Sequence, residues 1–268
     1  MIIDTHVHIG KMLNFNMKES EVLYSMQKYG IDFSLVSNIE SAECDHKQRK
    51  LPFFLQKSQI KSNIKAINFA VKYPDKIGAM VWIKPNLEKC DEDFINLVRD
   101  NRDIIYGMKI HPFHSAIAPD DERLEPYYKL AKELRLPVVS HTGGCEQASS
   151  IHLYNVAKKH PEINFVMVHM DLGTDNSQAI QLLGELPNLY GDTTWVSVNS
   201  TLKAIKLYGS EKILFGSDNP IDGKDTYLHN KTGDRSLYQE YFNEFKSKIS
   251  CEDYENIMYK NAKKVFKI

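Results

Sequence analysis

The sequence predicts an α/β protein whose strand–helix units close into a (β/α)8 barrel of the TIM type, and three observations carry that expectation. Eight short β-branched or apolar runs alternate with segments of helical spacing along the whole chain. Each strand-plus-helix repeat takes roughly 25 to 45 residues, the size of a βα unit. The length of 268 residues falls near the ~250 typical of such a barrel, whereas an open doubly wound sheet usually stops at fewer strands.

The elements follow in order. Strands are expected at Ile2 to Val7, Ile31 to Ser37, Ile77 to Ile83, Ile105 to Ile110, Pro137 to His141, Ile163 to His169, Asn188 to Thr193 and Ile213 to Gly216. Helices are expected between them at Ser20 to Tyr29, Ile60 to Tyr73, Asp91 to Asp100, Leu124 to Leu134, Ser150 to His160, Asn176 to Leu186 and Thr201 to Tyr208. Asp120 and Asp121 precede the fourth helix, Lys158 to His160 close the fifth, and Pro74, Pro161 and Pro187 follow helix ends. The longest interval, Glu40 to Gln59, is polar and charged and predicts an enlarged loop after strand two, either a lid or a surface excursion. After the last strand, Asp222 to Arg235 reads as a long polar loop and Ser236 to Ile268 as two terminal helices. No linker divides the chain, so residues 1–268 are expected to form one domain.

Composition excludes several classes of function. The chain is 42% hydrophobic and 26% charged, with a net charge of -1 from nearly balanced acids and bases. Nothing here attracts nucleic acid or a membrane surface. No apolar run reaches the ~18 residues of a membrane span. Met1 leads straight into a strand without a basic and then apolar segment, so a cytoplasmic protein is expected. Cys44, Cys90, Cys145 and Cys251 are scattered without close pairs, which argues against a zinc ribbon or a disulfide framework. A small-molecule substrate is the expected partner, with a homo-oligomer left open.

Chemistry gathers at the strand ends. Ile3-Asp4-Thr5-His6-Val7-His8 puts two imidazoles on one face of a strand, because successive strand residues point to opposite faces. Two such imidazoles are half of a metal site or two hydrogen-bonded core histidines. Strand four carries Lys109 and then His111, strand five ends at His141, strand six at His169, and Asp218 follows strand eight. In a barrel the C-terminal strand ends converge on one mouth, so these residues can meet there. A carboxylate after an apolar strand is costly to bury unless something positive balances it, and a divalent cation would.

Lys109 must be desolvated if it points into the barrel, and desolvation favours the neutral amine. Such an amine can bind substrate or take up carbon dioxide as a carbamate; pairing with a carboxylate such as Asp218 is the structural alternative. Trp82, Lys84 and Trp195, near the ends of strands three and seven, could supply apolar walls and a charge for substrate, with core packing an equal reading for the tryptophans. His111 shares parity with Lys109 and could line the mouth, while His114 and His229 sit in loops that could face it. His46, His152 and His160 read as structural.

Taken together, Asp4-Thr5-His6-Val7-His8, Gly107-Met108-Lys109-Ile110-His111-Pro112, Pro137 to Gly143, Val168-His169, Phe215-Gly216-Ser217-Asp218-Asn219-Pro220 and the terminal Asn261 to Phe266 resemble the amidohydrolase superfamily, in its amidohydrolase-2 branch of hydrolases, lactonases and decarboxylases. The resemblance implies that His6, His8 and His141 bind a metal, with Asp218 as its carboxylate ligand or the base beside it. It implies that His169 is a second-metal ligand or a charge-stabilising group, and that Lys109 stands where some relatives carry a carbamate between two metals. Met170-Asp171-Leu172-Gly173 departs from relatives that place glycine closer to the histidine. Zinc is the expected metal on a set of three imidazoles and one carboxylate, as one ion or two.

Hydrolysis of an amide, ester or lactone by a metal-activated water is the leading expectation, with Asp218 taking the water's proton and His169 stabilising the oxyanion. Non-oxidative decarboxylation of an unsaturated or aromatic carboxylic acid at the same metal, with His169 as proton donor, is the alternative. A barrel that binds metal or ligand without catalysis is the third reading.

Overall fold

The computed structural model describes residues 1–221, 223 and 238–268. Its core is a nine-stranded sheet in the order β2-β1-β3-β4-β5-β6-β7-β8-β9, parallel from β1 through β9, with β2 added antiparallel to β1. The strands are β1 (Ile3–Met12), β2 (Phe15–Met17), β3 (Phe33–Asn38), β4 (Ile77–Trp82), β5 (Ile105–Ile110), β6 (Val138–Gly143), β7 (Phe165–Leu172), β8 (Leu189–Asp192) and β9 (Ile213–Leu214). The segment after β9 returns to β1: Phe215 O accepts from Thr5 N at 3.0 Å, Asp218 N donates to His6 O at 2.8 Å, and Asn219 O accepts from His8 N at 2.9 Å. A parallel bridge between Val7 and Asn219 completes the ring. All eight expected strands form; β2 is an added hairpin strand, since the first strand runs on to Met12 rather than ending at Val7.

Helices fill the connections: α1 (Glu19–Tyr29), α2 (Gln59–Lys72), α3 (Glu92–Asp100), α4 (Pro112–Ser115), α5 (Glu125–Leu134), α6 (Ser150–Lys159), α7 (Ser177–Leu183), α8 (Val198–Tyr208), α9 (Tyr238–Phe242), α10 (Cys251–Glu255) and α11 (Asn261–Phe266), the last two joined by a π-helical turn at Asn256–Lys260. Two differences from the expected ranges have local causes. Helix α8 starts at Val198 instead of Thr201 because Ser197 caps it, its side chain accepting from Ser200 N. Helix α7 ends at Leu183, where Gly184 takes over as cap. The terminal region is helical as expected, while the Asp222 to Arg235 loop and His229 lie outside the described residues apart from Gly223.

Two apolar layers hold the barrel. Val36, Val81, Met108, Val138, Phe165 and Met167 face outward into the larger cluster beneath the helices. Phe33, Leu35, Met80, Val139, Val166 and Leu214 pack inside with Ile3, and Ala262, Val265 and Phe266 of α11 join this inner cluster at the starts of the strands. The opposite end, where the strands finish, is left for polar side chains.

Residues 39–58 form the enlarged loop the sequence predicts. Glu43 pins it to two neighbouring connections. Its N–H donates to His114 O at 2.9 Å, and its Oε1 accepts from Asn86 N at 3.0 Å and Leu87 N at 2.7 Å. Oε2 is buried without a hydrogen-bond partner. Burial, only partly offset by these N–H groups and by the Lys84 charge, pushes the carboxyl up to about 8.

Candidate metal centre

Strand β1 delivers both imidazoles to the barrel interior through an irregularity. Ile3 faces inward, and strict alternation would then turn His6 and His8 outward. The pairing with β3 shifts register between Asp4 and Val7, which moves the even-numbered residues to the inner face. Asp4 lies in this shift and is fully buried; its Oδ1 accepts from His6 N at 3.2 Å and Ser217 N at 3.1 Å. Asp4 thereby ties the turn that bears Asp218 to the strand that bears the histidines.

The result is a compact donor set. One ligand atom each from His6, His8 and Asp218 lies within 4.8 Å of the others. His6 Nε2 and His8 Nε2 are 2.8 Å apart, and Asp218 Oδ1 is 3.5 Å from the first and 3.1 Å from the second. Partners on the far side of each group orient it. His6 Nδ1 lies 3.3 Å from Thr194 Oγ1 and 3.6 Å from Asp192 Oδ2. His8 Nδ1 lies 3.0 Å from Ser37 Oγ, and Asp218 Oδ2 accepts from Trp195 Nε1 at 3.0 Å. Convergent donors with their remote atoms hydrogen-bonded are the organisation of metal ligands, and the set fits a divalent cation.

Electrostatics agree with that organisation. Burial lowers the His6 pKa well below its ordinary value, with the Lys109 charge adding to the effect, so the imidazole is neutral. Burial would raise the Asp218 carboxyl, but the hydrogen bond from His8 and the surrounding positive field outweigh it and hold the pKa far below the usual carboxylate range. Burial brings the Lys109 amine down to about 8, against the pull of Asp218 and Asp192. Its Nζ sits 3.0 Å from His6 Nε2, at the edge of the triad. Burial raises Asp192 to about 6.

Other expected residues fall around this triad with unequal closeness. His141 is not part of the clustered donors; its Nε2 faces Gly143 O at 3.2 Å, and its ring stacks on His111 with centroids 4.2 Å apart. His169 stands between, its ring 4.7 Å from His141 and 5.4 Å from His6. Its Nδ1 faces Thr194 O at 3.1 Å and must donate there, since a carbonyl only accepts. Burial brings its pKa down to about 4. The neutral ring therefore turns an unprotonated Nε2 away from Thr194, as a base or ligand rather than a ready acid.

His111 lies sandwiched between His141 and Trp82, its Nδ1 buried and without a hydrogen-bond partner. Trp82 is buried behind His111 and His8. Lys84 does not reach the mouth: its ammonium donates to Lys57 O and pairs with Glu88 at 3.2 Å, because the chain has left the strand at Trp82 and turned away.

A cavity of about 350 Å³ opens beside the triad, bounded by His8, His111, His141, His169 and Asp218 and otherwise largely by apolar side chains. The end of β8 and the turn that follows it, Asp192 to Trp195, contribute more than the sequence suggested: they contact His6, His169 and Asp218. A carboxylate inside an otherwise apolar strand end, Asp192, was the available signal for this segment. Three residues of the site, His169 (φ 70°), Trp195 (φ 56°) and Asp218 (φ 66°), occupy the left-handed region that bulky side chains rarely adopt, a strain that gathers where structure holds functional groups in place.

Comparison with known proteins places the fold among relatives. A search of curated proteins returns no match. Similar solved structures include an uncharacterised TIM-barrel protein from Bordetella bronchiseptica, at 18% identity and TM-score 0.68, covering 98% of this chain and 97% of that one. They include a dihydroxybenzoic acid decarboxylase from Polaromonas with bound manganese and the inhibitor 2-nitroresorcinol, at 15% identity and TM-score 0.72, covering 99% and 96%. A 4-oxalomesaconate hydratase from Rhodopseudomonas palustris matches at 16% identity and TM-score 0.70, covering 100% and 96%. At these identities the likeness establishes the barrel fold. The amidohydrolase family model matches residues 3–268, and on that match the chain belongs to the amidohydrolase family, in its amidohydrolase-2 branch.

Proposed function

We propose that the chain is a metal-dependent decarboxylase of a small unsaturated or aromatic carboxylic acid, working as one domain over residues 1–268. The observation that carries the reading is the pairing of one clustered donor set with a largely apolar cavity, whose walls include Phe15, Met17, Phe113, Leu172 and Trp195. A flat unsaturated acid fits such a place, its carboxylate at the cation and its carbon skeleton against the apolar wall. The decarboxylase from Polaromonas, which shares the fold and holds manganese, supports this choice over the hydrolysis favoured on sequence.

His6, His8 and Asp218 would hold the ion, with His141, His169 and Lys109 beside them. A divalent cation there would anchor the substrate's carboxylate and stabilise negative charge developing on neighbouring oxygen. Zinc is not singled out, because the clustered donors are two imidazoles and one carboxylate rather than three imidazoles, and manganese accepts the same atoms. The apolar walls keep water from the carboxylate, which favours its departure as neutral carbon dioxide. The carbon that loses carbon dioxide must gain one proton. His169, neutral at rest, would take that proton from solvent on Nε2 and hand it to the carbon, since its Nδ1 is committed to Thr194 O. His111, with its unpartnered Nδ1, would receive a neutral hydroxyl or carbonyl of the substrate.

Hydrolysis keeps the support of the family match, and the same His169 lone pair could serve as base toward water. Manganese-loaded protein given hydroxybenzoates, unsaturated acids, lactones and esters separates the two. Release of carbon dioxide with a product lighter by that mass is expected. Cleavage of the lactones or esters with uptake of water, and no gas release from any acid of the panel, would overturn the proposal in favour of hydrolysis.

A further inference from the structure

We infer that Trp195 is a positioning residue for Asp218, and so for the cation that His6, His8 and Asp218 would hold; the inference rests on the metal-site reading above. The two carboxylate oxygens of Asp218 have different neighbours. Oδ1 faces His8 Nε2 at 3.1 Å and His6 Nε2 at 3.5 Å, while Oδ2 accepts from Trp195 Nε1 at 3.0 Å. An indole N–H only donates and does not titrate, so it cannot displace the carboxylate as a ligand or protonate it. What it does is stop rotation about the Cβ–Cγ bond. With Oδ2 pinned, Oδ1 points at the histidines in a fixed direction.

The backbone is built to make that contact. Trp195 takes φ 56°, in the left-handed region. The turn is held on both sides: Val196 N donates to Thr193 O at 3.1 Å, and Thr194 is fixed by Asp192, its N donating to Oδ1 at 3.1 Å and its Oγ1 to Oδ2 at 2.7 Å. A cavity wall needs only an aromatic ring, which an unstrained residue could provide. The left-handed turn also brings the indole N–H onto Asp218 while the ring still lines the cavity. Thr194 meanwhile touches His6 through its hydroxyl and His169 through its carbonyl, so adjacent residues orient three groups of the site.

The test is Trp195→Phe, which retains the aromatic wall and removes the N–H. Titration of metal-free protein with Mn²⁺, followed by electron paramagnetic resonance, should show affinity reduced by about 10- to 100-fold, the range for removing a group that orients a ligand. The melting temperature of the metal-free variant should fall by no more than the several degrees that one lost hydrogen bond to a buried carboxylate costs. Wild-type Mn²⁺ affinity in Trp195→Phe overturns the role of Trp195 alone, whereas failure of the parent to bind Mn²⁺ overturns the metal-site reading and this proposal with it. The chain has two tryptophans, so Trp82→Phe leaves Trp195 as the sole indole and gives a second readout that keeps its N–H. Mn²⁺ should quench its fluorescence with the same midpoint as the resonance titration. Full Mn²⁺ occupancy with unchanged Trp195 emission would also overturn the proposal.

Discussion

Replacing Glu43 by Gln should stabilise the protein at neutral pH, by an amount that follows from the buried carboxyl itself. The group has a pKa of about 8 in the folded chain against an ordinary value of 4.5. Between those two values the folded state binds more protons than the unfolded state, so stability falls as pH rises through this window and levels off above it. At about 1.36 kcal/mol per pKa unit, the penalty is under ~1 kcal/mol at pH 5 and about 3 kcal/mol at pH 7. Glutamine has nearly the same shape, carries no charge, and can accept from Asn86 N and Leu87 N through its carbonyl oxygen. Its NH2 would occupy the position of Oε2, which has no hydrogen-bond partner, much as the hydroxyl of the protonated acid does. Urea unfolding of both proteins from pH 5 to pH 8 measures the difference directly. The stability gap should open in favour of Glu43→Gln as pH rises. A gap that is constant with pH, or that widens toward acid, would refute the assignment of a neutral buried acid here.

Two further outcomes follow from the site. Asp218→Asn keeps the Trp195 contact geometry but removes the anionic ligand; Mn²⁺ affinity should fall by at least about 100-fold, and the melting-temperature gain of about 5–10 °C expected at 100-fold excess over the dissociation constant should vanish. A parent protein whose melting is indifferent to chelator and to Mn²⁺ would contradict the site. Gly216→Ala should lower the melting temperature by several degrees, since the added Cβ would meet Thr194 Oγ1 at 2.5 Å and Asp192 Oδ2 at 2.7 Å, and overpacking of this kind costs about 1–3 kcal/mol. Calorimetry checks it, and an unchanged melting point would mean that the Thr194–Asp192 pair yields freely.

The barrel was legible because its evidence is periodic and local: apolar runs alternating with amphipathic segments need no knowledge of distant contacts. The sharing of one face by His6 and His8 was legible for the same reason. That this face is the inner one depends on the register shift between Asp4 and Val7, which arises from pairing with β3 and leaves no mark in the spacing. Lys84 illustrates the opposite failure. Its place near the end of strand three suggests the mouth, yet the strand ends at Trp82 and Lys57 O captures the ammonium from 27 positions away in sequence. His141 was expected among the ligands, but its Nε2 is directed to Gly143 O. That carbonyl belongs to a residue at φ 93°, so close to Leu172 N that a Cβ would lie 2.1 Å from it. Contacts of this kind are settled by neighbouring strands, and a single sequence does not display them.

The ring of strands is sealed where the donors meet: Asp218 N binds His6 O, and Asn219 O takes the N–H of His8. In the chain, both imidazoles precede the Asp218 carboxylate set beside them by some two hundred residues. An ion captured across that seam would act as a clasp between β1 and the 215–219 segment. Its departure should loosen the junction of β1 with the 215–219 segment first, before the strands opposite, and amide exchange at Thr5, His8 and Asp218 is where that loosening would register.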